Sequence, residues 1–170
     1  METYFGINYE FDIPTIHKRI DEQVKSNVPA YICAPDGNVL NMAFNNAEYR
    51  KVINGSIFSI CDSSWAPIFI KWIHRRRYRQ YCGSDIFMDI IRSRKYRMFF
   101  IGTNRRILDA LQKNLINENP RLAKMQFHEL PFCEANEFDY EAIAETINND
   151  NADIIWVALG APKQELFMNR

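Results

Sequence analysis

The sequence has no closely spaced cysteines, no long apolar run and no net charge. Its four cysteines, at positions 33, 61, 82 and 133, form no C-x-x-C pair, so neither a zinc site nor a disulfide framework is predicted. The longest central apolar stretch, residues 65–73, is short and contains Lys71, which excludes a membrane span. The opening residues lack a signal-peptide pattern. We therefore expect reduced thiols in a cytoplasmic domain.

Charge is balanced in total but not along the chain. Twenty-one Lys and Arg residues match twenty-one Asp and Glu residues, which excludes an acidic tail or a histone-like binder. Residues 71–106 nevertheless hold eleven basic residues against two Asp, whereas residues 126–165 hold nine acidic residues against one Lys. This asymmetry indicates an electropositive face suited to bind phosphates or an anionic surface. The alternative is a set of solvated helix faces without a binding role.

The 170 residues, 47% of them hydrophobic, predict a single domain over residues 1–170. Short apolar runs alternate with segments of helical period, which predicts an α/β fold with a Rossmann-like, mostly parallel sheet flanked by helices. The predicted strands are residues 30–34, 57–61, 98–101, 125–128 and 154–158. The predicted helices begin near residue 12 and then cover residues 38–44, 47–53, 67–74, 85–94, 105–116, 140–148 and 162 onward.

In such a sheet ligands bind outside the carboxyl ends of the strands, so the loops there are the first candidates. The segment Gly160–Glu165 directly follows the last predicted strand. We expect unpaired backbone N–H groups beside Lys163 and Gln164 to form a seat for an anion or phosphate. The alternative is an ordinary strand-to-helix turn with surface charges.

Two aspartates follow earlier strands. Asp62 comes after residues 57–61, and a carboxylate partly shielded by Trp65 could act as a general base. It could equally cap the helix that follows, and the residues alone favour capping. Asp36 has the same two interpretations.

Two glycine-containing loops are weaker candidates. Gly83, Ser84 and Asp85 open a helix, where the last two could simply cap it. Gly102 follows the strand 98–101 in a loop suited to phosphate approach, but the full G-x-G-x-x-G pattern is absent.

The basic run 71–79, KWIHRRRYR, carries interleaved aromatic residues, as single-strand nucleic-acid binders do. A basic amphipathic helix lying on anionic lipid headgroups explains the same pattern. The three histidines are scattered and no D-x-D element is present, so any nucleotide-sugar chemistry is expected to proceed without a metal.

Five segments in order along the chain resemble the bacterial glycosyltransferases of the WecG/TagA/CpsF family. They are FGINYEFDIPTIHKRI, YCGSDIF, MFFIGTN, INNDNADI and, most closely, NADIIWVALGAPKQELFM, together with the strand end at Asp62. The resemblance covers essentially all 170 residues.

The resemblance implies an inverting transferase that moves an N-acetylmannosamine-type sugar from a UDP donor. The implied acceptor is a polyprenyl-diphosphate-linked sugar at the inner face of the membrane, in teichoic acid or other surface polysaccharide synthesis. Carried over by position, Asp62 is the catalytic base, Gln164 contacts the donor, and Asp36 stands where the family usually has a donor-binding Asn. The remaining expected substrate contacts are Arg79, Gly83, Ser84, Asp85, Gly102, Lys163 and Glu165, with no metal and no cofactor.

Several features depart from the family pattern. Ala34 replaces a Thr, Gln80 replaces an Arg next to Arg79, and Ser63-Ser64 replaces a Gly after the aspartate. These changes could indicate another sugar donor. Family members also continue past the position of Arg170 into a basic tail, so we expect weak turnover and a tendency to self-associate.

Two other functions compete with the transferase. A degenerate relative would bind a nucleotide or a partner without chemistry. A nucleic-acid binder would use residues 71–106, with an affinity that falls steeply with salt. The resemblance favours the transferase, and we expect no nucleic-acid partner.

Overall fold

The computed structural model describes all residues from 1 to 170, and the chain forms two compact units. The first unit comprises Met1–Ile86 with Asn169, and the second comprises Phe87–Met168 with Arg170. Parallel strands and flanking helices confirm the α/β prediction. The strands lie in two sheets, one in each unit, whereas the sequence suggested one sheet. The single domain over residues 1–170 stays a prediction.

The first unit is built on a four-stranded sheet. Its strands are β1 (Glu2–Tyr4), β2 (Ile7–Tyr9), β3 (Ile32–Cys33) and β4 (Phe58–Ser59), in the order β1-β2-β4-β3. β4 pairs in parallel with both β2 and β3, whereas β1 and β2 form an antiparallel hairpin. This hairpin was not predicted from the sequence, because its three-residue strands are too short to show a clear alternation.

Helices of the first unit lie close to their predicted positions. They are α1 (Ile13–Ser26), α2 (Gly37–Asn45), α3 (Ala47–Asn54), α4 (Ala66–His74) and α5 (Gly83–Ser93), the last of which continues into the second unit. The carboxylate of Asp12 caps α1 by accepting the N–H of Thr15 at 3.0 Å. Ile7, Ile16 and Phe58 have no exposed surface and belong to the core of this unit.

The second unit is built on a parallel three-stranded sheet. β5 (Met98–Gly102) lies between β6 (Gln126–His128) and β7 (Ile154–Ala158), and every residue of β5 is buried. The helices are α6 (Arg105–Leu115), α7 (Tyr140–Asp150) and α8 (Lys163–Met168), with a short 3-10 helix at Pro120–Lys124. Phe99, Phe138 and Phe167 form part of its core.

Each sheet therefore gathers the carboxyl ends of its parallel strands at one edge. In the first unit this edge carries the segments after β3 and β4. In the second unit it carries the segments after β5, β6 and β7. Every candidate strand-end residue lies at one of these two edges.

Candidate active site

Asp62 lies at the carboxyl end of the β4 segment, half-buried, and its carboxylate binds the start of a helix. Its Oδ1 accepts the backbone N–H of Gly83, the first residue of α5, at 2.6 Å. A Cβ placed on Gly83 would lie 3.8 Å from Asp62 Oδ1 and 3.8 Å from the Cβ of Ala34. The fold thus brings together the ends of two neighbouring parallel strands and a helix N-terminus.

The backbone around Asp62 is held from the same side. The Gln80 side chain donates from Nε2 to the Asp62 carbonyl oxygen at 2.7 Å, and the Tyr81 N–H donates to the Cys61 carbonyl oxygen at 3.1 Å. With the Gly83 bond, these contacts tie residues 80–83 to the strand end. Gln80 is therefore a positioning residue for Asp62, a role that its departure from the family pattern did not predict.

The interpretation of Asp62 as the cap of the following helix is wrong. Trp65 occupies the N-cap position of α4 and makes no side-chain cap bond. The Ala66 N–H donates instead to the hydroxyl of Ser63 at 3.3 Å. Asp62 is directed to α5 because that helix begins beside the end of β4, a proximity that local sequence does not reveal.

Asp36, by contrast, does cap the helix that follows it. Its Oδ1 accepts the Val39 N–H at 2.8 Å at the start of α2, and the residue is exposed. Asn is an equally good cap. An Asn at this position would therefore support the same helix, and a donor contact for Asp36 stays a prediction.

Asp85 is the third residue of α5, and its carboxylate caps the start of that helix. Its Oδ2 accepts the Cys82 N–H at 3.1 Å and the Cys82 thiol at 2.9 Å, while Ser84 Oγ lies 3.2 Å from the same sulfur. The hydrogen bonds from Cys82 hold the pKa of Asp85 below its usual value, and the nearby Arg79 contributes. The predicted capping interpretation of Asp85 is confirmed.

The lowered pKa of Asp85 predicts a pH-dependent contribution to stability. A depressed folded-state pKa means that the stabilisation is complete above the unfolded pKa of about 4 and is lost as the pH falls through the folded value. Because Asp85 is exposed, Asp85→Asn is expected to cost only roughly 0.5–1 kcal/mol at pH 7. Urea unfolding at pH 7 and pH 3 measures this difference. An equal difference at both pH values would contradict the assignment.

Arg79 borders a cavity in the first unit. The cavity has a volume of about 310 Å³ and is lined by Met1, Glu2, Tyr9, Glu10, Phe11, Asp12, Arg77, Tyr78 and Arg79. Neither Asp36 nor Asp62 lines it. The exposed Arg79 is thus near an opening that was not predicted from the sequence.

The thiol next to the candidate base is inert. Cys61 is buried, and this burial raises the pKa of its thiol to about 11, with the charge of Asp62 adding to the effect. A thiol with that pKa is protonated at neutral pH and is a poor nucleophile. Cys33 is likewise buried, whereas Cys82 and Cys133 are half-buried, and none of the four cysteines forms a disulfide bond.

In the second unit, Gly102 ends the central strand in a conformation that suits glycine. Its φ is +114°, and a Cβ there would lie 2.4 Å from the carbonyl oxygen of Ala158 in the neighbouring strand. The close approach of two backbones accounts for this glycine. A phosphate contact for Gly102 stays a prediction.

The Gly160–Glu165 segment is more internally bonded than expected. The Gln164 N–H donates to the Gly160 carbonyl oxygen at 3.0 Å, so the expectation of an unpaired N–H at Gln164 is wrong. The Lys163 ammonium donates to the Cys133 carbonyl oxygen and lies 5.2 Å from the Phe132 ring centre. Gln164 Nε2 donates to Glu165 Oε1 at 2.9 Å, and Glu165 is only 2% exposed. Their substrate roles stay predictions.

No three His, Cys, Asp or Glu side chains gather where they could hold a metal ion. None of the helices has the length and apolar character that crossing a bilayer demands.

An α/β chain with a fixed carboxylate at a parallel strand end is compatible with a glycosyltransferase. The model of the glycosyl transferase WecG/TagA/CpsF family matches residues 4–170, and the chain belongs to that family. The resemblance noted in the sequence is thereby confirmed.

Two curated relatives carry the same name, N-acetylglucosaminyldiphosphoundecaprenol N-acetyl-beta-D-mannosaminyltransferase. The chain is 22% identical to the Bacillus subtilis (strain 168) protein over 149 residues, which is 86% of this chain and 56% of the relative. It is 25% identical to the Bacillus spizizenii protein over 150 residues, 85% of this chain and 55% of the relative. The chain therefore spans just over half the length of these relatives.

Proposed function

We propose that this protein is an inverting glycosyltransferase. It transfers an N-acetylmannosamine-type sugar from UDP to a polyprenyl-diphosphate-linked sugar at the inner face of the cell membrane. Family membership and the names of the two relatives support the reaction class and the lipid-linked acceptor. The observation that carries the proposal is the carboxylate of Asp62, held at a strand end by the Gly83 N–H.

The chemistry requires one base. Asp62 removes the proton of the acceptor hydroxyl, and the oxygen attacks the anomeric carbon opposite the UDP group. The new C–O bond forms as the bond to UDP breaks, and UDP leaves with the electron pair. A single displacement of this kind inverts the anomeric configuration and needs no second carboxylate. The Gly83 N–H engages Oδ1, so Oδ2 is the oxygen assigned to receive the proton.

The position of Asp62 limits how much the base must reorganise. Tyr81 and Gln80 bind the carbonyl oxygens of Cys61 and Asp62, on either side of the Asp62 Cα, and Gly83 holds the carboxylate. A base whose orientation is set before the substrate binds needs little rearrangement in the transition state.

The leaving diphosphate needs compensating positive charge. In the first unit we assign this task to Arg79 and to the N-terminus of α5, where Ser84 supplies a backbone N–H group. Gly83 belongs to the same predicted site, but its own N–H binds Asp62. The donor contacts of Asp36 and Asp85 in this unit are part of the same proposal. In the second unit, we assign donor contacts to Gly102, Lys163, Gln164 and Glu165.

Calorimetric titration with UDP, with magnesium and with a chelator, tests the donor site. We expect saturable binding with the same affinity in both conditions, because the proposal assigns the diphosphate to backbone N–H groups and cationic side chains. GDP serves as the matched control for selectivity between nucleobases. Arg79→Gln is expected to weaken UDP binding about tenfold. Binding that depends on magnesium would contradict the metal-free site. Equal affinity for GDP and UDP would contradict the proposal that the donor is a UDP-sugar.

A second candidate function is nucleotide binding without chemistry. Ala34 supplies no hydroxyl at the strand end, and Gln80 binds the Asp62 backbone where the family has an Arg. UDP binding with no transfer to a lipid-linked acceptor would favour this alternative.

A further inference from the structure

Helix α4 presents an apolar face to solvent. Thirteen large hydrophobic residues of the chain are exposed, and five of them fall within nine consecutive positions. These five form what we call the α4 face: Trp65 (64% exposed), Ile68 (55%), Phe69 (45%), Trp72 (79%) and Ile73 (55%). Their spacing of three and four residues places them on one side of the helix. Such a concentration of exposed apolar surface marks an interaction site.

The opposite side of the same helix is used by the core. Ala66 and Ile70 are 2% and 0% exposed and anchor α4 to the first unit. The α4 face is therefore displayed on a firmly packed helix, and substitutions on it leave the core untouched.

A dense group of cations adjoins the α4 face. Lys71 lies on the helix, and Arg75, Arg76 and Arg77 follow its last turn directly, all of them exposed. No Asp or Glu occurs anywhere between residues 63 and 84. The surface thus combines apolar side chains with positive charge and has no acidic residue in the segment to oppose it.

We propose that the α4 face docks this chain onto an anionic lipid bilayer. The five apolar side chains enter the boundary between headgroups and acyl chains, and Lys71 with Arg75–Arg77 contact lipid phosphates. This deepens the proposed function, since a polyprenyl-linked acceptor resides in a bilayer. The test below contains neither acceptor nor donor, so its failure is distinguishable from a failure of the transferase.

The composition of the face favours lipid over other partners. Ile68 and Ile73 are aliphatic and offer nothing for a nucleobase to stack on, whereas acyl chains accept them readily. A symmetric contact between two copies would bring two basic segments into one interface, and residues 63–84 contain no acidic side chain to neutralise them. An anionic bilayer complements both properties.

Vesicle co-sedimentation of the 170-residue chain tests the docking surface. We expect binding to phosphatidylglycerol-containing vesicles, little binding to pure phosphatidylcholine vesicles, and weaker binding as salt rises, because the charge contribution is screened. In Trp156→Phe, the remaining tryptophans Trp65 and Trp72 report directly on the face. Their emission is expected to shift to the blue and to be quenched by brominated lipid.

Two pairs of variants separate this surface from general effects. The double variant Ile68→Gln/Trp72→Gln is expected to weaken vesicle binding about tenfold or more, because the buried apolar area drives insertion. Phe44→Gln, which removes another aromatic side chain that is 75% exposed, is the matched control and should bind like the wild type. Lys71→Gln/Arg76→Gln should weaken binding to anionic vesicles, whereas Lys25→Gln/Lys113→Gln makes the same charge change on α1 and α6, outside residues 63–84.

Several results would overturn the proposal. Absence of vesicle binding by the wild type would do so, as would wild-type binding by Ile68→Gln/Trp72→Gln with an intact circular dichroism spectrum. A concentration-dependent dimer that this variant abolishes would assign the face to a second copy. Tighter binding of a single-stranded oligonucleotide than of vesicles, lost in the same variant, would assign it to nucleic acid.

Discussion

Replacement of Asp62 by Asn is expected to lower sugar transfer by about 10²–10⁴-fold, the usual contribution of a positioned general base. Asn keeps an oxygen that can accept the Gly83 N–H, so the start of α5 should remain in place. UDP affinity is therefore expected to change by less than about threefold, since the variant removes only the proton acceptor. Transfer to a lipid-linked acceptor and calorimetric UDP titration measure the two quantities.

The matched control for this substitution is Asp139→Asn. Asp139 caps α7 by accepting the Ala142 N–H at 3.0 Å and is exposed, so the variant makes the same chemical change at a cap without an assigned substrate role. It should transfer sugar at the wild-type rate. Undiminished transfer by Asp62→Asn would remove Asp62 from the mechanism, and a parallel loss of UDP binding would make it a structural or donor-binding residue instead.

Replacement of Gly102 by Ala is expected to destabilise the protein by roughly 2–4 kcal/mol. The new Cβ would meet the Ala158 carbonyl oxygen at 2.4 Å and its carbon at 2.8 Å, and both are backbone atoms of a paired strand. The φ of +114° adds conformational strain for any L side chain. Thermal unfolding should show a decrease in Tm of about 6–12 °C.

Gly37→Ala is the control for Gly102→Ala. Gly37 is the first residue of α2, and a Cβ there meets no atom within 4 Å. This variant is expected to be neutral or slightly stabilising, because Ala restricts the unfolded chain. Equal thermal stability of the two variants would show that the contact with Ala158 is relieved by a shift of the strand.

Hydrophobic periodicity located most elements because it is a local property. The helix predicted from Asp12 begins at Ile13, and the strand predicted over 98–101 is Met98–Gly102. The strands predicted over 30–34 and 57–61 are real but shorter, at two residues each. The hairpin of β1 and β2 was missed, since its turn at Phe5 and Gly6 depends on positive φ values that the residue pattern does not announce.

The candidate site was only partly accessible from the sequence. The sequence placed Asp62 at a strand end, but the expectation that it caps the helix directly after it was wrong. Its carboxylate binds the N–H of Gly83, which is 21 residues further along the chain and therefore outside any local pattern. Gln80 stood out only as a family departure, whereas its bond to the Asp62 carbonyl oxygen gives it a positioning role. At Gln164 the expected open N–H is satisfied by Gly160, a detail of turn geometry that residue types leave undetermined.

By itself, the sequence determined the α/β class, the approximate helices and the family, because periodicity and ordered motifs are carried by neighbouring residues. The tertiary structure decided the division of the strands into two sheets, the contact of Gly102 with Ala158 and the helix that Asp62 binds. It also decided which side of α4 is buried, since Ile70 and Trp72 both read as apolar helix residues in the sequence. These outcomes depend on contacts between distant segments, and only folding brings those segments together.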